Sequence, residues 1–594
     1  METMQNMVNP FDPSLEDDKL YHITSGQVAS LPVVKDLCDA KEKGEVSFVT
    51  FCQERLLQGD VGFHEPVKKM KLKTFGDTVK STITKVKGRE IILKADRNLF
   101  ARLILVGSVR KVDVKEMLGY TLSPLPASLA NYDGSLIKTN KAKLLHFLEG
   151  SVTPAPVLET VPHGAAWVWD AMALVQVMKP QPTFGQFADS VLKMIINHAL
   201  LTKSKLVHFV PDRYRPVSIK NAERGRRATG GSQITRIFSP DQKTPKQWSK
   251  FLSCGKNKEC LLHFFFQQWM QCRKEQIGDI TLVVGHGEEC HVIRLNGSRT
   301  AIEAQPVPAL YSSQEEADTR LLLHSLHAAN TSGHVVINSP DTDVFVLCVA
   351  FCMEIDAELY FHTGRGTSTR TIAVRQVFNH FGKDACAAII GFHCFTGCDT
   401  VSALYGIGKV KSAKVLMSNK EYCLTMQRLG DSFQIPQTLL TDIEAFTCEL
   451  YGQKGCKDVN EARYNMFRSG NYNERSLPPN KDALHKHICR ANYQAAVHKM
   501  SLISKPEVPS PSGSGWKKEG DSLSVDWTSL PPAPSSILEL AHCSCKKSQC
   551  MQGRCSCLVN KLPCTDICTC VQCANLSIPD ISHEEDSIDL DEED

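Results

Sequence analysis

The C-terminal part of the chain carries a run of cysteines too dense for an ordinary hydrophobic core. Nine of the 24 cysteines lie within residues 543–573. So short a segment cannot bury a core of its own, and thiols in a reducing compartment stay free to bind metal. Tetrahedral zinc is the ion that clustered thiolates usually hold. The predicted zinc ligands are Cys543, Cys545, Cys550, Cys555, Cys557, Cys564, Cys568, Cys570 and Cys573.

The number of these thiols limits how many ions they can bind. Nine thiolates are too few for three separate four-cysteine sites. If three sulfurs each bridge two metals, the nine can satisfy about three tetrahedral zinc ions. Such a segment should fold only with its metal. The sequence therefore predicts a cluster of about three Zn²⁺ ions.

The spacing of the cluster is similar to that of the tesmin-like CXC module, a DNA-binding zinc cluster. Residues 543–550 match its opening and residues 573–575 match its close. The resemblance implies DNA contact through Lys547 and Arg554. Arg554 replaces a Tyr that enters the minor groove in the family, and Arg is also suited to a narrow minor groove. A purely structural or protein-binding cluster is the alternative.

The remainder of the chain has an ordinary globular composition. The whole chain is 42% hydrophobic and 22% charged. Its 594 residues are too many for one core, which predicts three or four domains. The acidic start, Met1 to Asp18, lacks an apolar signal-peptide core, and no apolar run approaches the roughly 18 residues that span a bilayer. We therefore expect an intracellular protein with no membrane partner, working in the nucleus.

Composition and periodicity divide the chain into predicted segments. Helical spacing in the N-terminal part, as at Phe48, Phe51, Cys52 and Leu56, indicates a helical domain that binds protein partners. A Pro-, Ser- and Gly-rich stretch near the C-terminus is typical of a linker. The predicted segments are a helical domain at 1–155, an α/β core at 160–420, a helical extension at 421–500, a linker at 501–538, the CXC module at 539–576 and an acidic tail at 577–594.

Short apolar runs alternate with helical segments between residues 160 and 420. This pattern is typical of an α/β fold with a mainly parallel sheet flanked by helices. Functional groups in such sheets gather at the carboxyl ends of the strands. The predicted strands are 167–169, 206–210, 280–284, 334–338 and 357–361.

Acidic residues follow several of these strands at the point where each ends. We expect them to converge on one edge of the sheet. Ionised carboxylates at close range raise one another's pKa unless cations neutralise them. Mg²⁺ or Mn²⁺ is the usual counterion where phosphate is the substrate, and two such ions can promote phosphodiester hydrolysis. The predicted metal-facing acids are Asp170, Asp212, Glu316, Asp318, Asp341, Asp343 and Asp399.

The order of these acids resembles the flap-endonuclease and XPG-like branch of the PIN-like nuclease fold. The resemblance spans about 160–420 and implies a structure-selective DNA nuclease using two metal ions. The chain departs from the family pattern at Met172, where Ser is usual, and at Asp318, where Glu is usual. The matching motifs are 168–172, 209–212, 316–318, 340–343, 397–399 and 406–409.

Two further features support nucleic-acid binding. The segment around Gly406 and Gly408 resembles the helix-hairpin-helix of that family, where backbone N–H groups meet DNA phosphates. Lys409 and Lys411 are predicted to bind there as well. A predicted basic helix after Asp212 offers Lys220 and Arg226 as catalytic residues that hold the scissile phosphate, with a solvated basic face as the alternative.

Two functions are compatible with these features. The first is a metal-dependent nuclease that cuts branched DNA or junctions of single and double strands, delivered by the zinc module. The second is a non-catalytic DNA- or chromatin-binding protein with a nuclease-like fold, derived from a mobile element. The full set of mutually repelling acids favours the enzyme.

Overall fold

A computed structural model of the protein describes most of the chain, in two compact units. One unit comprises Met1–Met117 with Ala533–Asp594, and the other comprises Leu118–Pro532. The described residues are 20, 29, 31–59, 61–62, 72, 80–86, 89–95, 113–123, 125–131, 134–214, 219, 234–470, 473–520, 522–531, 533–534, 543, 545, 550, 555–559, 564, 570, 574 and 575.

The first unit contains short helices and one β-hairpin in its N-terminal part. The hairpin pairs β1 with β2 in antiparallel register. This segment departs from the helical pattern predicted for the N-terminal domain, because the β-branched residues at 82–84 and 91–92 favour strand over helix. The elements are α1 (Leu31–Cys38), α2 (Ala40–Cys52) with a π-helical turn at Gln53–Leu57, β1 (Lys80–Val86), β2 (Arg89–Ala95) and α3 (Val114–Leu118), which reaches the boundary between the units.

The second unit is built on a nine-stranded mixed sheet. Its strands are β3 (Val157–Leu158), β4 (Ala166–Asp170), β5 (Leu206–Val210), β6 (Thr281–His286), β7 (Glu289–Leu295), β8 (Ile302–Pro306), β9 (His334–Asn338), β10 (Glu358–Thr363) and β11 (Arg370–Ala373). Their spatial order is β3-β11-β10-β9-β4-β5-β6-β7-β8. The five central strands, β10 to β6 in that order, run parallel, and the flanking pairs are antiparallel.

Helices cover both faces of this sheet. They are α4 (Ala142–Gly150), α5 (Ala171–Val177), α6 (Phe184–Leu201), α7 (Trp248–Ser253), α8 (Gly255–Met270), α9 (Lys274–Ile277), α10 (Ala317–Ala329), α11 (Thr342–Phe351), α12 (Val374–Phe395), α13 (Lys409–Met417), α14 (Lys420–Arg428), α15 (Gln437–Leu450), α16 (Val459–Arg468) and α17 (Lys481–Lys499). Short 3₁₀ turns lie at Pro308–Leu310, Gly366–Ser368 and Glu474–Ser476.

Strand β4 shows how the sheet separates two hydrophobic cores. Because side chains alternate along a strand, Ala166 and Val168 face a core formed largely with the helices from α10 onward. Trp167 and Trp169 face the other core, which contains α6 and α8. The second unit therefore has three layers, with β4 at the centre and buried on both faces.

Two predicted segment boundaries differ from the structure. Residues from Leu118 onward belong to the sheet-containing unit, because Leu144, Leu145 and Leu148 on α4 pack into its core. The predicted linker contains a hairpin, β12 (Trp516–Glu519) and β13 (Ser522–Val525).

This hairpin is held against α17 by polar and aromatic contacts. Arg490 donates to the carbonyl of Asp526 at 2.8 Å and lies 5.0 Å from the ring of Trp527. Lys486 pairs with the Asp526 carboxylate at 2.7 Å. The Pro and Gly content predicted a linker because composition does not show these contacts with α17.

The predicted α/β class with a mainly parallel central sheet is confirmed, and the five predicted strands correspond to β4, β5, β6, β9 and β10. Its PIN-like subtype stays a prediction. Residues 234–300 form α7 to α9 with β6 and β7. Among the described helices, none is both long enough and apolar enough to cross a bilayer.

Candidate metal sites in the acidic pocket and the cysteine cluster

The central strands of the sheet direct acidic residues to one edge. Asp170 ends β4 and caps α5, its Oδ1 accepting from the backbone N–H groups of Met172 at 3.0 Å and Ala173 at 2.9 Å. Asp341 follows β9 and caps α11, accepting from the N–H of Asp343 at 2.9 Å. Helix N-termini stabilise negative charge. Capping thus fixes both carboxylates at the carboxyl ends of adjacent strands.

The Asp341–Asp343 motif differs locally from its prediction. We predicted that both acids belong to a strand end, but β9 ends at Asn338 and Asp343 lies in the first turn of α11. The two side chains nevertheless converge, because the helix begins immediately after the strand. Carboxylate oxygens of Asp318, Asp341 and Asp343 all lie within 4.8 Å of one another.

The other predicted acids lie around this trio. Asp170 is electrostatically close to Asp212 and Asp318, and Asp341 is close to Asp399. Asp212 accepts from the N–H of Ala317 at 2.8 Å, which links the end of β5 to the start of α10. Glu316 is half-buried at the N-cap of the same helix. Six of the seven acids thus share one electrostatic neighbourhood, with Glu316 two residues from Asp318.

Lys141 lies inside the pocket and was not predicted. Its Nζ is 3.0 Å from Asp341, 2.9 Å from Asp343 and 2.8 Å from Asp399. Burial disfavours the ammonium, but these three carboxylates dominate and raise the pKa of Lys141. Its segment was assigned to a separate domain, and no local motif marks it. Only the packing of α4 on the sheet reveals the contact.

A buried network supports Asp343 from behind. The ring Nε2 of His393 is 2.9 Å from Asp343 Oδ1. Lys409 donates to the carbonyl of His393 at 2.7 Å and to Thr396 Oγ1 at 2.8 Å. Lys409 is only 1% exposed, so its predicted role as a DNA contact is wrong. Its ammonium group orients the histidine that positions a pocket carboxylate.

The two capping acids of the pocket retain protons more strongly than ordinary Asp. Burial raises the pKa of Asp170 to about 7, and Asp212 adds to the effect. Burial and the neighbouring Asp343 raise the pKa of Asp341 to about 8. These shifts are the response of crowded carboxylates in low dielectric. A divalent cation would relieve them, and oxygen donors at this spacing fit Mg²⁺ or Mn²⁺.

Asp343 shows the opposite behaviour. Burial pushes its pKa upward, but His393 and Lys141 outweigh burial and hold the pKa of that carboxyl well below its usual range. Burial, aided by Lys409, lowers the pKa of His393 to about 4, so the ring is neutral at neutral pH. A neutral ring can donate Nε2–H to Asp343. Asp343 is therefore the pocket acid best prepared to bind a cation as a carboxylate.

The segment predicted to bind DNA as a helix-hairpin-helix lies between two helices, and its DNA binding stays a prediction. Gly406 has a positive φ of 74° and Gly408 caps α13, and both are exposed. Lys411 is exposed on α13, where it can meet solvent or a ligand. Residues 396–408 contain no helix and connect α12, which ends at Phe395, to α13, which begins at Lys409. The predicted phosphate-holding residues Lys220 and Arg226 lie outside the described residues.

Seven of the nine predicted zinc ligands are described, and their thiols form overlapping groups. The three four-thiol groups have ligand atoms within 4.8 Å of one another. Cys543 belongs to all three groups, and Cys550, Cys555 and Cys564 each belong to two. Cys568 and Cys573, and the predicted DNA contacts Lys547 and Arg554, lie outside the described residues. Sharing of sulfurs between groups is the arrangement that a bridged cluster requires.

The sulfur spacings also fit zinc. Cys543 Sγ lies 3.6 Å from Cys550 Sγ and 3.8 Å from Cys564 Sγ, and Cys555 Sγ lies 3.9 Å from Cys564 Sγ. A tetrahedral zinc ion with Zn–S bonds of about 2.3 Å places its sulfurs about 3.8 Å apart. The described thiols are therefore already at the separation that zinc coordination demands.

These two sites define an α/β protein with a carboxylate pocket on its sheet and a separate thiolate cluster near its C-terminus. The profile of the Tesmin/TSO1-like CXC domain, cysteine-rich domain, matches residues 540–577. The predicted CXC module is thereby confirmed, and the match supports zinc binding by its cysteines. No curated protein matches the chain. The resemblance of residues 160–420 to flap endonucleases gains no support from these findings and stays a prediction.

Proposed function

We propose that the protein is a metal-dependent DNA nuclease delivered to its substrate, in the nucleus, by the C-terminal CXC module. The observation that carries the proposal is the convergence of Asp318, Asp341 and Asp343 within 4.8 Å, with Asp170, Asp212 and Asp399 around them. These residues come from separate elements at one edge of the sheet. Burial of so many acids is unfavourable unless cations share the pocket.

The chemistry follows from what these residues can hold. One or two Mg²⁺ or Mn²⁺ ions bound by the carboxylates would activate water and stabilise the leaving oxygen of a phosphodiester. Asp343, fixed by His393, would serve as a ligand that is ionised at neutral pH. Lys141 provides a positive charge between Asp341 and Asp399, where it can attract a phosphate group. The backbone caps keep Asp170 and Asp341 from rotating away.

Substitution of two pocket acids tests the catalytic proposal. Asp341→Asn with Asp343→Asn should abolish Mn²⁺-dependent cleavage of labelled flap, bubble and gap substrates, with a loss of at least about 10³-fold in rate, because two metal ligands are removed. Gel assays at equal protein concentration would measure it. Asp356→Asn and Asp442→Asn are matched changes outside the pocket and should leave the rate unchanged. Full activity in the pocket variant would refute the proposal.

DNA targeting by the CXC module is the second part of the proposal. Its zinc-held fold would present basic residues of the segment to the DNA backbone. Binding to duplex DNA should then weaken with rising salt, because phosphate contacts release counterions. Removal of the zinc by a zinc-selective chelator, with Mg²⁺ kept in excess, should reduce DNA binding without changing the cleavage rate at saturating substrate.

Lys141 favours one alternative function. Its contacts with three carboxylates at 2.8–3.0 Å neutralise part of the pocket without metal. A non-catalytic nucleic-acid-binding protein could keep such a pocket as a structural ion network. Mn²⁺ binding distinguishes the two functions. The enzyme should bind Mn²⁺ in a way that Asp341→Asn with Asp343→Asn eliminates, whereas the non-catalytic protein should not bind it there at all.

A further inference from the structure

A group of metal-ligand side chains lies at the tip of the β6–β7 hairpin, distinct from both sites above. His286 and Glu289 are directly paired across the hairpin, and His291 pairs with Val284. Paired residues share a face of an antiparallel sheet, as do residues two apart on one strand. The register therefore places His286, Glu289 and His291 on the same face.

The side chains are close enough to share one ion. Nε2 of His286 lies 2.9 Å from Nδ1 of His291. A carboxylate oxygen of Glu289 lies within 4.8 Å of both ring nitrogens. Tetrahedral zinc with bonds of about 2.0–2.1 Å needs ligand atoms about 3.3 Å apart. Movements of up to about 1.5 Å, mainly of the exposed glutamate side chain, would satisfy that geometry.

The surroundings fix these ligands in advance. The His286 ring stacks on Phe266 of α8, with centroids 3.8 Å apart, and is only 9% exposed. Arg213 holds the turn residue Glu288 through a 2.6 Å ion pair. Arg320 donates to the carbonyls of Gly287 at 3.2 Å and Pro211 at 3.3 Å. The hairpin tip is therefore braced against the segment that carries Asp212.

We propose that His286, Glu289 and His291 bind one Zn²⁺ ion. Two imidazoles and one carboxylate are a donor set that suits zinc and leaves a fourth position for water. The ring of His263 on α8 lies nearby, with its centroid 6.0 Å from that of His286. Because Arg213 adjoins Asp212, the ion would also stiffen the anchor of one pocket acid. The proposal holds whether or not the pocket is catalytic.

Zinc content of full-length protein tests the site. Elemental analysis after dialysis should show that Glu289→Gln and His291→Gln each lose about one zinc per chain relative to wild type. Glu288→Gln, the adjacent acid that pairs with Arg213, is the matched control and should lose none. Asp341→Asn with Asp343→Asn should also retain this zinc, which separates the site from the acidic pocket.

A second measurement keeps the test decisive if a histidine variant folds poorly. Glu289 is exposed, so Glu289→Gln should fold normally while showing a smaller zinc-induced rise in the melting temperature of the sheet-containing unit than wild type. Equal zinc content in wild type, Glu289→Gln and His291→Gln would overturn the proposal and leave the 2.9 Å contact as a hydrogen bond between two histidines.

Discussion

At the scale of single residues, the ammonium group of Lys141 lies within 3.0 Å of Asp341, Asp343 and Asp399. It satisfies part of the negative charge that the acids place on the sheet edge. It also occupies space that a cation would need. Lys141 can compete with a metal ion or order the carboxylates that bind it. The Mn²⁺ affinity of a Lys141 variant distinguishes these two roles.

We expect Lys141→Gln to bind Mn²⁺ at least about tenfold more tightly than wild type. A positive charge about 4 Å away repels a cation by about 4 kcal/mol per unit charge at an effective dielectric of ~20, and partial relaxation reduces that gain. Electron paramagnetic resonance of free Mn²⁺ would measure the affinity. Lys143→Gln, an exposed change on the same helix, should have no effect. Weaker binding in Lys141→Gln would show instead that the lysine orders the ligands.

At the scale of elements, helix N-termini do most of the positioning. Asp170 caps α5 and Asp341 caps α11. An Asp at this position is common as an ordinary helix cap. Here the cap also directs each carboxylate into the pocket. In the cysteine cluster, by contrast, little regular structure is involved, with one short helix at Ser556–Val559 among the described residues. In that segment, the free energy of metal binding must stabilise the fold.

The sharing of thiols predicts unequal effects of single cysteine changes. Cys543 belongs to all three described four-thiol groups, whereas Cys545 belongs to one. Cys543→Ser should therefore lose more than about one zinc per chain, and Cys545→Ser about one at most. Native mass spectrometry of the intact protein would count the ions. Identical losses in the two variants would contradict a bridged cluster and favour independent sites.

At the scale of the whole molecule, burial of the acidic pocket couples folding of the sheet-containing unit to pH. The pKa of Asp170 is raised to about 7 and that of Asp341 to about 8. Both values exceed the roughly 3.9 expected in the unfolded chain. A carboxyl whose pKa rises on folding stabilises the fold fully below its unfolded pKa, and that contribution is lost as pH rises through the folded value.

We therefore expect the metal-free pocket to weaken the fold progressively between about pH 4 and 8, from the unfolded to the folded pKa values. The free energy of unfolding should fall on the order of a few kcal/mol across this window, and saturating Mn²⁺ should remove most of the slope. Urea unfolding followed by fluorescence of Trp167 and Trp169 would measure it. Asp170→Asn with Asp341→Asn should flatten the dependence. Because the pKa of Asp343 is low, this carboxyl changes the free energy of unfolding only in more acid solution, where its protonation destabilises the fold. A flat wild-type profile without Mn²⁺ would contradict the coupling.

Sequence alone determined the features that depend on neighbours along the chain. The strands around Val168, Val207 and Val336 follow from short apolar runs, and the cysteine cluster follows from thiol spacing. Tertiary structure decided what depends on distant contacts. It buried Lys409 behind His393, brought Lys141 among the acids, and folded Trp516 into a hairpin where Pro and Gly content indicated a linker. Periodicity records which face of an element is apolar. It does not record which distant side chain will meet that face, because packing free energy is shared by residues hundreds of positions apart.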